Sequence, residues 1–534
     1  MLALSLLLAF PASTLGWSLT GPSAVVDLAV VRGVESGNVE KFLGIPFAKA
    51  PRFKLPVPVP RYYGIVDAKE YGPSCPQQST SSSLTARSLE EVNVPRQLLR
   101  RDGSAESEDC LSLNVIKPKI ARASDKLPVV VWIYGGGFEV GSALGYDDVS
   151  TRVVEKSIAA GTPVIHVAMN YRVSAFGFLA SKEVKKERLG NFGLYDQRVA
   201  LQWVQKYIRS FGGDPGKVTI WGQSAGAISV ALQMLAFNGK TDGLFHAGFM
   251  QSGAPIPVGD ITNGQADYDA LVAQTGCSKS KNTLDCLRKV PFPTLQAAIN
   301  ASPNFLSYNS LALAWTPRVD GVFIKDEPFK MVQQGRVAKI PIVNGNMDDE
   351  ATIFSASQSN ITTEADFREY IKSIYVKKAT DAELEPLWSL YPSTPSEGSP
   401  YDTGDDNALY PQYKRIASFQ GDLVFQAPRR HFLQSISGKQ KIWSYLSKNL
   451  KAVSGPYGSF HGADIQYGLF DDYLIQFVNT FNPNLPSGPN WPEYTKESPD
   501  LYTFTDTAAP SVTPDNFRAE PIDYLIQLAS TQPQ

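Results

Sequence analysis

Residues 218–226 read VTIWGQSAG, and this stretch decides the fold class. Its first four residues are apolar and partly β-branched, which predicts a short buried strand, and the small residues of 225–236 predict a helix directly after it. Gly222 and Gly226 bracket Ser224 in the pattern G-x-S-x-G. A tight strand-to-helix turn of this pattern exposes the serine oxygen above a sheet, so we predict that Ser224 is a nucleophile. The alternative is a serine that only caps the helix of an ordinary turn.

Strands and helices alternate on both sides of this turn. Short apolar runs predict strands at residues 129–134, 164–170, 340–345 and 441–446, and an amphipathic pattern predicts a helix at 195–208. Such alternation is typical of an α/β fold with a large, mostly parallel central sheet and helices on both faces. We expect one domain of this kind over residues 17–534. Its active site should lie beyond the carboxyl ends of the strands.

A glycine-rich segment, YGGGF at residues 134–138, directly follows the first of these strands. Three consecutive glycines cost backbone entropy, which a plain turn would rarely accept. Glycines let backbone N–H groups approach a negative charge that develops during a reaction. We therefore predict an oxyanion hole formed by the N–H groups of Gly136, Gly137 and Ala225. The alternative is a close-packed glycine turn.

Only four histidines are present, which allows the general base to be chosen by elimination. Folds with this serine turn carry their catalytic residues in the order serine, acid, histidine. His166 precedes the serine inside an apolar strand, His246 follows it too soon, and His431 lies beside two arginines that disfavour a charged imidazole. His461 lies in a glycine-flanked loop after a strand and is the predicted base.

The acid is less determined by the residues alone. Asp348, Asp349 and Glu350 stand side by side after the strand predicted at 340–345. Adjacent carboxylates often form no more than a solvated turn, and the spacing does not choose among the three.

The overall charge excludes one class of partner. The 534 residues contain 50 basic and 52 acidic side chains, for a formal charge of −2. Nothing in this balance attracts nucleic acid. No group of cysteines, histidines and carboxylates has metal-ligand spacing, so we expect neither a metal nor an organic cofactor.

Several features predict export. Residues 1–16 combine a nine-residue apolar core with Pro11 and small residues, which is typical of a signal peptide; the alternative is a buried N-terminal strand. Four cysteines fit two disulfides, and we pair Cys277 with Cys286 because they are close, which leaves Cys75 with Cys110. Asn300 and Asn360 begin glycosylation sequons.

The chain resembles the carboxylesterase/cholinesterase family, also called type-B carboxylesterases, and within it the secreted fungal lipases of the Candida rugosa type. The resemblance runs over nearly all of residues 17–534. The matching motifs are FLGIPFA at 42–48, EDCLSLN at 108–114, NYR at 170–172, GNFGLYDQ at 190–197 and NWPEY at 490–494. It implies an α/β-hydrolase fold and a secreted serine carboxylic-ester hydrolase that works through an acyl-enzyme, without a cofactor.

The resemblance also assigns individual residues. The family's acid is the glutamate of an Asp-Glu-Gly step, which corresponds to Glu350, although Ala351 replaces the glycine and would be strained by roughly 1 kcal/mol at a positive φ. Gln223 stands where relatives often carry glutamate. A secondary polar network maps to Ser252 and Asp464. The family's disulfides agree with both pairs given above.

The family's first disulfide closes a lid, here residues 75–110, whose apolar side chains are mixed with many charges. The alternative is a plain surface loop. This mixed character makes the lid less clearly built to dock on an oil surface, although a lid of this family implies contact with lipid. A lidded apolar mouth can also self-associate into a homodimer. Substrate classes left open are lipid, steryl, aryl and feruloyl esters. A non-catalytic, cholinesterase-like binding protein is the rival from another class.

Overall fold

The computed structural model describes residues 21–80 and 105–533. The signal peptide predicted at 1–16 lies outside the described residues, and so does most of the predicted lid. No helix of the described ranges has both the length and the apolar character needed to cross a membrane.

The described residues contain sixteen strands, which form three sheets. They are β1 (Ser23–Val26), β2 (Leu28–Arg32), β3 (Val34–Ser36), β4 (Val39–Pro46), β5 (Ala48–Lys49), β6 (Val57–Pro58), β7 (Tyr63–Asp67), β8 (Ser112–Pro118), β9 (Leu127–Ile133), β10 (Ile165–Met169), β11 (Gly213–Gln223), β12 (Ala247–Gln251), β13 (Ile342–Met347), β14 (Ile442–Ser447), β15 (Asp500–Phe504) and β16 (Ser511–Pro514).

The α-helices of the described residues surround the largest sheet. They are α1 (Asp147–Ala159), α2 (Ser174–Phe178), α3 (Lys182–Lys186), α4 (Phe192–Tyr207), α5 (Ala225–Gly239), α6 (Gln265–Gln274), α7 (Thr283–Lys289), α8 (Phe292–Asn300), α9 (Pro328–Gln333), α10 (Glu364–Tyr370), α11 (Asp381–Leu390), α12 (Tyr413–Gly421), α13 (Ala427–Ile436), α14 (Ala463–Tyr467), α15 (Asp471–Thr480) and α16 (Ala519–Thr531).

The largest sheet has eleven strands in the order β16-β15-β14-β13-β12-β11-β9-β10-β8-β4-β3. The seven strands from β15 to β10 run parallel, and the outer strands at both ends are antiparallel. The predicted α/β class and the mostly parallel sheet are confirmed. The parallel strands read as nearly continuous apolar runs because both of their faces are covered.

Side-chain alternation along β11 and β12 shows how the helices cover both faces. Successive residues of a strand point to opposite faces. The ring of Phe249 packs against Phe477 of α15. A side chain at the preceding residue, Gly248, would instead contact Val230 and Met234 of α5. Helices α15 and α5 therefore lie on opposite faces of the sheet.

Both disulfides have the predicted pairing, Cys75 with Cys110 and Cys277 with Cys286. The first joins the segments on either side of residues 81–104. It therefore fixes both ends of the segment predicted to be a lid, while the body of that segment lies outside the described residues.

Candidate active site

Ser224 occupies a sharp turn between β11 and α5. Its backbone has φ +59° and ψ −130°, a conformation that non-glycine residues rarely adopt and that costs about 1–3 kcal/mol. A Cβ atom at Gly222 would lie 2.4 Å from the backbone of Gly226, and one at Gly226 would lie 2.0 Å from the carbonyl oxygen of Ile133. Both flanking positions therefore require glycine. The N–H of Ser224 donates to the carbonyl of Gln251 (2.9 Å) and ties the turn to the next strand.

His461 and Glu350 form a buried pair. Nδ1 of His461 lies 2.5 Å from Oε2 of Glu350, and both side chains are fully buried. The other carboxylate oxygen of Glu350 accepts the N–H of Met347 (2.8 Å) at the end of β13. The imidazole ring packs between Phe354 and Phe425. Because the carboxylate accepts a hydrogen bond from Nδ1–H, Nε2 is left as the basic nitrogen.

Of the three adjacent carboxylates, only Glu350 contacts the histidine. Asp348 and Asp349 both pair with Lys451, at 2.6 and 3.3 Å. Asp349 also accepts the N–H groups of Ser459 and Tyr401, each at 2.8 Å. Burial and the neighbouring Asp348 raise the pKa of Asp349. Asp349 thus joins the turn that carries Glu350 to the loop that carries His461. Its contact in that loop, Ser459, stands two residues before His461.

Ala351 is accommodated without backbone strain. Its φ is not among the positive values of the chain, so the strain considered for an alanine at this position does not arise. The methyl group is fully buried in the apolar cluster that contains Phe354 and Phe425.

The glycine loop after β9 presents free backbone donors. Gly136 and Gly137 have φ of +104° and +63°, which requires glycine. Within the described ranges, the N–H groups of Gly136, Gly137 and Ala225 donate to no other group. The base of the loop is fixed by two reciprocal hydrogen bonds, since the hydroxyls of Tyr134 and Tyr171 each donate to the other residue's carbonyl (2.8 and 2.7 Å).

Gly137, Ser224 and Ala225 line one largely apolar cavity of about 70 Å³, and Gly136 does not belong to its lining. Two π-helical turns, Ile371–Tyr375 and Asp422–Gln426, contribute to the same wall. Such turns are frequent at functional sites. The other lining residues are Phe138, Ile228, Ile256, Pro257, Val258, Leu311, Leu313, Thr316, Tyr375, Val376, Leu423, Val424, Phe425, Leu528, Ala529 and Gln532.

Gln223 has a role that its position in the sequence did not indicate. Its amide Nε2 lies 3.0 Å from Nε2 of His461, and with Nδ1 carrying the proton the amide is the donor. The basic nitrogen is therefore occupied by Gln223. No hydrogen bond joins Ser224 Oγ to His461 in this part of the structure. Only the tertiary arrangement reveals this contact, because the two residues are far apart in sequence.

The two residues of the predicted secondary polar network have different surroundings. Asp464 accepts a hydrogen bond from Gln251 (2.7 Å), and burial raises its pKa to about 6. Ser252 is fully buried, but its hydroxyl has no hydrogen-bond partner. The structure therefore joins Asp464 to Gln251 rather than to Ser252.

The remaining histidines lie away from the cavity. His166 is buried in β10 with neither ring nitrogen bonded, and burial lowers its pKa to about 3. His246 accepts a hydrogen bond from the N–H of Val218, and His431 stacks on Phe329. Among the described residues, no group of three or more histidines, cysteines and carboxylates could hold a metal ion.

The two sequons differ in exposure. Asn360 is exposed. Asn300 is half-buried, and its side-chain oxygen accepts hydrogen bonds from Ser79 (2.8 Å) and Gln296 (3.0 Å). Neither residue approaches the cavity that contains Ser224.

Comparison with known proteins gives extensive matches. The model of the carboxylesterase family matches residues 22–473. Lipase 4 of Diutina rugosa is 40% identical over 518 residues, covering 92% of this chain and 90% of that lipase. Secreted lipase 1 of Botryotinia fuckeliana is 40% identical over 532 residues, covering 93% and 91%. The crystal structure of Aspergillus niger EstA matches with a TM-score of 0.80 and 27% identity, over 96% of this chain and 99% of that one.

Proposed function

We propose that Ser224 is the nucleophile of this enzyme, His461 its general base and Glu350 the acid that orients the base. The premise is that the chain belongs to the carboxylesterase family, as the match over residues 22–473 shows, and is a carboxylic-ester hydrolase. The observation that carries this assignment is the buried 2.5 Å contact between His461 and Glu350. A carboxylate in this position holds the imidazole in one tautomer and stabilises the imidazolium that forms during the reaction.

In the proposed reaction, Nε2 of His461 exchanges its contact with Gln223 for the hydroxyl of Ser224. As the hydroxyl proton passes to Nε2, Oγ forms a bond to the ester carbonyl carbon and the carbonyl oxygen becomes an oxyanion. The N–H groups of Gly136, Gly137 and Ala225 receive this charge, and their lack of other acceptors supports that role. The intermediate then collapses, and His461 protonates the departing alcohol. A water molecule activated by His461 then attacks the acyl-enzyme and releases the carboxylic-acid product.

The catalytic cavity favours short acyl chains. It measures about 70 Å³ and is lined mainly by aliphatic and aromatic side chains. A small, apolar cavity of this kind accommodates a short aliphatic chain better than a bulky ring system. We propose butyryl to hexanoyl esters as the substrates that enter without rearrangement. Steryl and feruloyl esters would require the walls to move.

The location of the enzyme outside the cell is supported by its relatives. Several of them are named as secreted lipases, which supports secretion of this chain. Contact of the lid segment with lipid, a homodimer, and glycosylation at Asn300 and Asn360 are further parts of the proposal.

The test is the hydrolysis of p-nitrophenyl esters from C2 to C16 by wild type and Ser224→Ala. We expect an optimum near C4–C6 in wild type and a loss of about 10⁵–10⁶-fold in kcat for the variant. Both proteins should have the same melting temperature, because the variant removes one hydroxyl. A variant that retained the activity would refute the assignment of the nucleophile. A wild type that hydrolysed no ester and took up no organophosphate would refute the proposed activity.

A further inference from the structure

A second cavity adjoins the catalytic one. It measures about 380 Å³ and shares four wall residues with the catalytic cavity, Leu313, Tyr375, Val376 and Gln532. The catalytic cavity has a mainly apolar lining, whereas the lining of the second cavity is about equally polar and apolar. Its volume lies within the roughly 300–1,000 Å³ that is common for ligand sites.

The second cavity contains an arginine without a partner. Arg318 lines it and is 7% exposed. Its Nε and Nη1 atoms are buried and have no acceptor, and no carboxylate of the described residues lies within ion-pair distance. A buried cation is normally paired, since an unmet donor costs about 1–3 kcal/mol and a charge costs more. Within the described ranges, Asp267 acts on the charge of Arg318 without a hydrogen bond to it, so these two nitrogens remain without an acceptor.

The backbone of Arg318 is held firmly in place. Its N–H donates to the side-chain oxygen of Asn191 (3.0 Å), and its carbonyl accepts the amide of the same residue (2.8 Å). Asn191 also donates to Asp320 (3.0 Å). The position of the arginine is thus fixed from the α4 side of the molecule.

The charges around the cavity favour an anion. Lys377 and Lys378, both exposed, line it together with Arg318, and Asp267 is the one acidic residue of the lining. Burial raises the pKa of Asp267 despite the opposing effects of Arg318 and Lys377. One carboxyl group faces three cations, so the lining carries an excess of positive groups.

We propose that the second cavity is a subsite for an aliphatic carboxylate, bound through the guanidinium of Arg318. The planar fork of arginine matches the two oxygens of a carboxylate. Because the two cavities share the wall at Tyr375 and Val376, an acyl chain attached to Ser224 that passes this wall would enter the second cavity, where its terminal carboxylate would meet Arg318. The substrate class that the subsite selects is the mono-esters of α,ω-dicarboxylic acids. The inference rests on the proposed function of Ser224.

The test compares mono-p-nitrophenyl esters of C4 to C12 dicarboxylic acids with the same esters capped by a methyl group. At one chain length, wild type should prefer the free acid, and Arg318→Met should lower the ratio of the two kcat/KM values by ~tenfold or more. Arg318→Lys should retain part of the preference. Lys325→Met, at an exposed lysine outside both cavities, should leave it unchanged. A ratio that Arg318→Met does not alter, or an equal loss on both esters, would overturn the proposal.

Two further measurements make the result independent of folding and of catalysis. Arg318→Met should melt no lower than wild type, because it removes an unpaired buried charge and keeps the apolar stem. Calorimetry with Ser224→Ala should show binding of sebacate that Arg318→Met abolishes, even if the proposed nucleophile is wrong. Binding of free sebacate without a preference among the esters would assign the subsite to released carboxylates. No binding and no preference would exclude both sources.

Discussion

At the scale of single residues, the contact between Gln223 and His461 has a consequence for pH dependence. The neutral amide donates a hydrogen bond to Nε2, the nitrogen that must take up the serine proton. In Gln223→Glu, a carboxylate at the same place would instead attract the imidazolium that forms during the reaction. We expect the acid limb of kcat/KM for p-nitrophenyl butyrate to move to higher pH by about one unit.

The control for this prediction is Gln251→Glu, which introduces the same charge at the end of β12, where Asp464 rather than His461 is the neighbour. It should shift the acid limb less. An acid limb that Gln223→Glu does not move would mean that Gln223 only fills space beside the ring.

The turn that carries Asp349 and Glu350 gives a second prediction, because only Glu350 contacts the histidine. Glu350→Gln keeps the shape of the side chain but places an amide against Nδ1 of His461. The amide can donate as well as accept, so it no longer selects the productive tautomer of the imidazole. We expect kcat to fall by about 10³–10⁴-fold, measured on p-nitrophenyl butyrate, with little change in folding.

Asp349→Asn is the matched comparison, because Asp349 contacts Lys451 and the histidine loop instead of the ring. Its effect should appear mainly as a lower melting temperature. Similar losses of kcat in both variants would contradict the assignment of Glu350.

The sequence predicted these residues unequally. Ser224 could be recognised from its flanking glycines, because their absence of side chains is a local steric requirement. His461 was reached by elimination among four histidines. Glu350 could not be separated from Asp348 and Asp349 without the family resemblance, since the choice depends on which carboxylate the turn directs toward a loop about 110 residues away. The contacts of Gln223 and Asp464 depend on the same long-range arrangement.

At the scale of elements, the glycine loop after β9 contains a buried acid. One oxygen of Glu139 accepts the N–H of Phe305 (2.9 Å), and the other has no partner. Burial raises the pKa of Glu139 to about 8. A carboxyl whose pKa is raised on folding stabilises the protein below its unfolded pKa, near 4.5, and this contribution is lost as the pH rises toward 8.

Glu139→Gln should therefore flatten the decline of the melting temperature between about pH 5 and pH 8. The amide preserves an oxygen for the N–H of Phe305 and cannot ionise, so at pH 9 we expect the variant to be the more stable by roughly 1–3 kcal/mol. The measurement is a series of thermal denaturations across this pH range. Wild-type and variant curves that stay parallel would show that Glu139 does not titrate in the folded protein.

Strand positions were easier to predict from the sequence than the walls of the active-site cavity. Strands β9, β10, β11, β13 and β14 lie within a few residues of the predicted runs, because burial on both faces demands a continuous apolar sequence. The two π-helical turns in the cavity wall leave no comparable pattern, since a π-turn is a local irregularity stabilised by its tertiary surroundings.

At the scale of the whole molecule, the two adjoining cavities are built from segments that are distant in sequence. Residues near 137, 224, 256, 313, 375, 424 and 529 meet around Ser224, and residues near 267, 318, 377 and 533 surround the second space. Fold class follows from periodicity within short windows. The shape of a pocket between such segments does not, because every wall depends on how loops cross above the sheet.

The shared wall predicts how the chain-length preference can be changed. Leu313 lines both cavities, and Leu423 lines only the catalytic one. In Leu313→Ala, the removed side chain widens the passage into the 380 Å³ space, so a long acyl chain buries more methylenes there than in wild type. Each buried methylene contributes about 0.8 kcal/mol, so the ratio of kcat/KM for the C12 and C4 p-nitrophenyl esters should rise by ~tenfold or more.

Leu423→Ala is the matched control, since it removes the same number of atoms from the same catalytic cavity without touching the shared wall. It should widen the catalytic cavity and raise the ratio only slightly. If both variants changed the C12 to C4 ratio equally, the two cavities would not communicate through Leu313, and a long acyl chain would have to leave the catalytic cavity by another route. A rise confined to Leu313→Ala would make the wall between the cavities the element that limits acyl length in this enzyme.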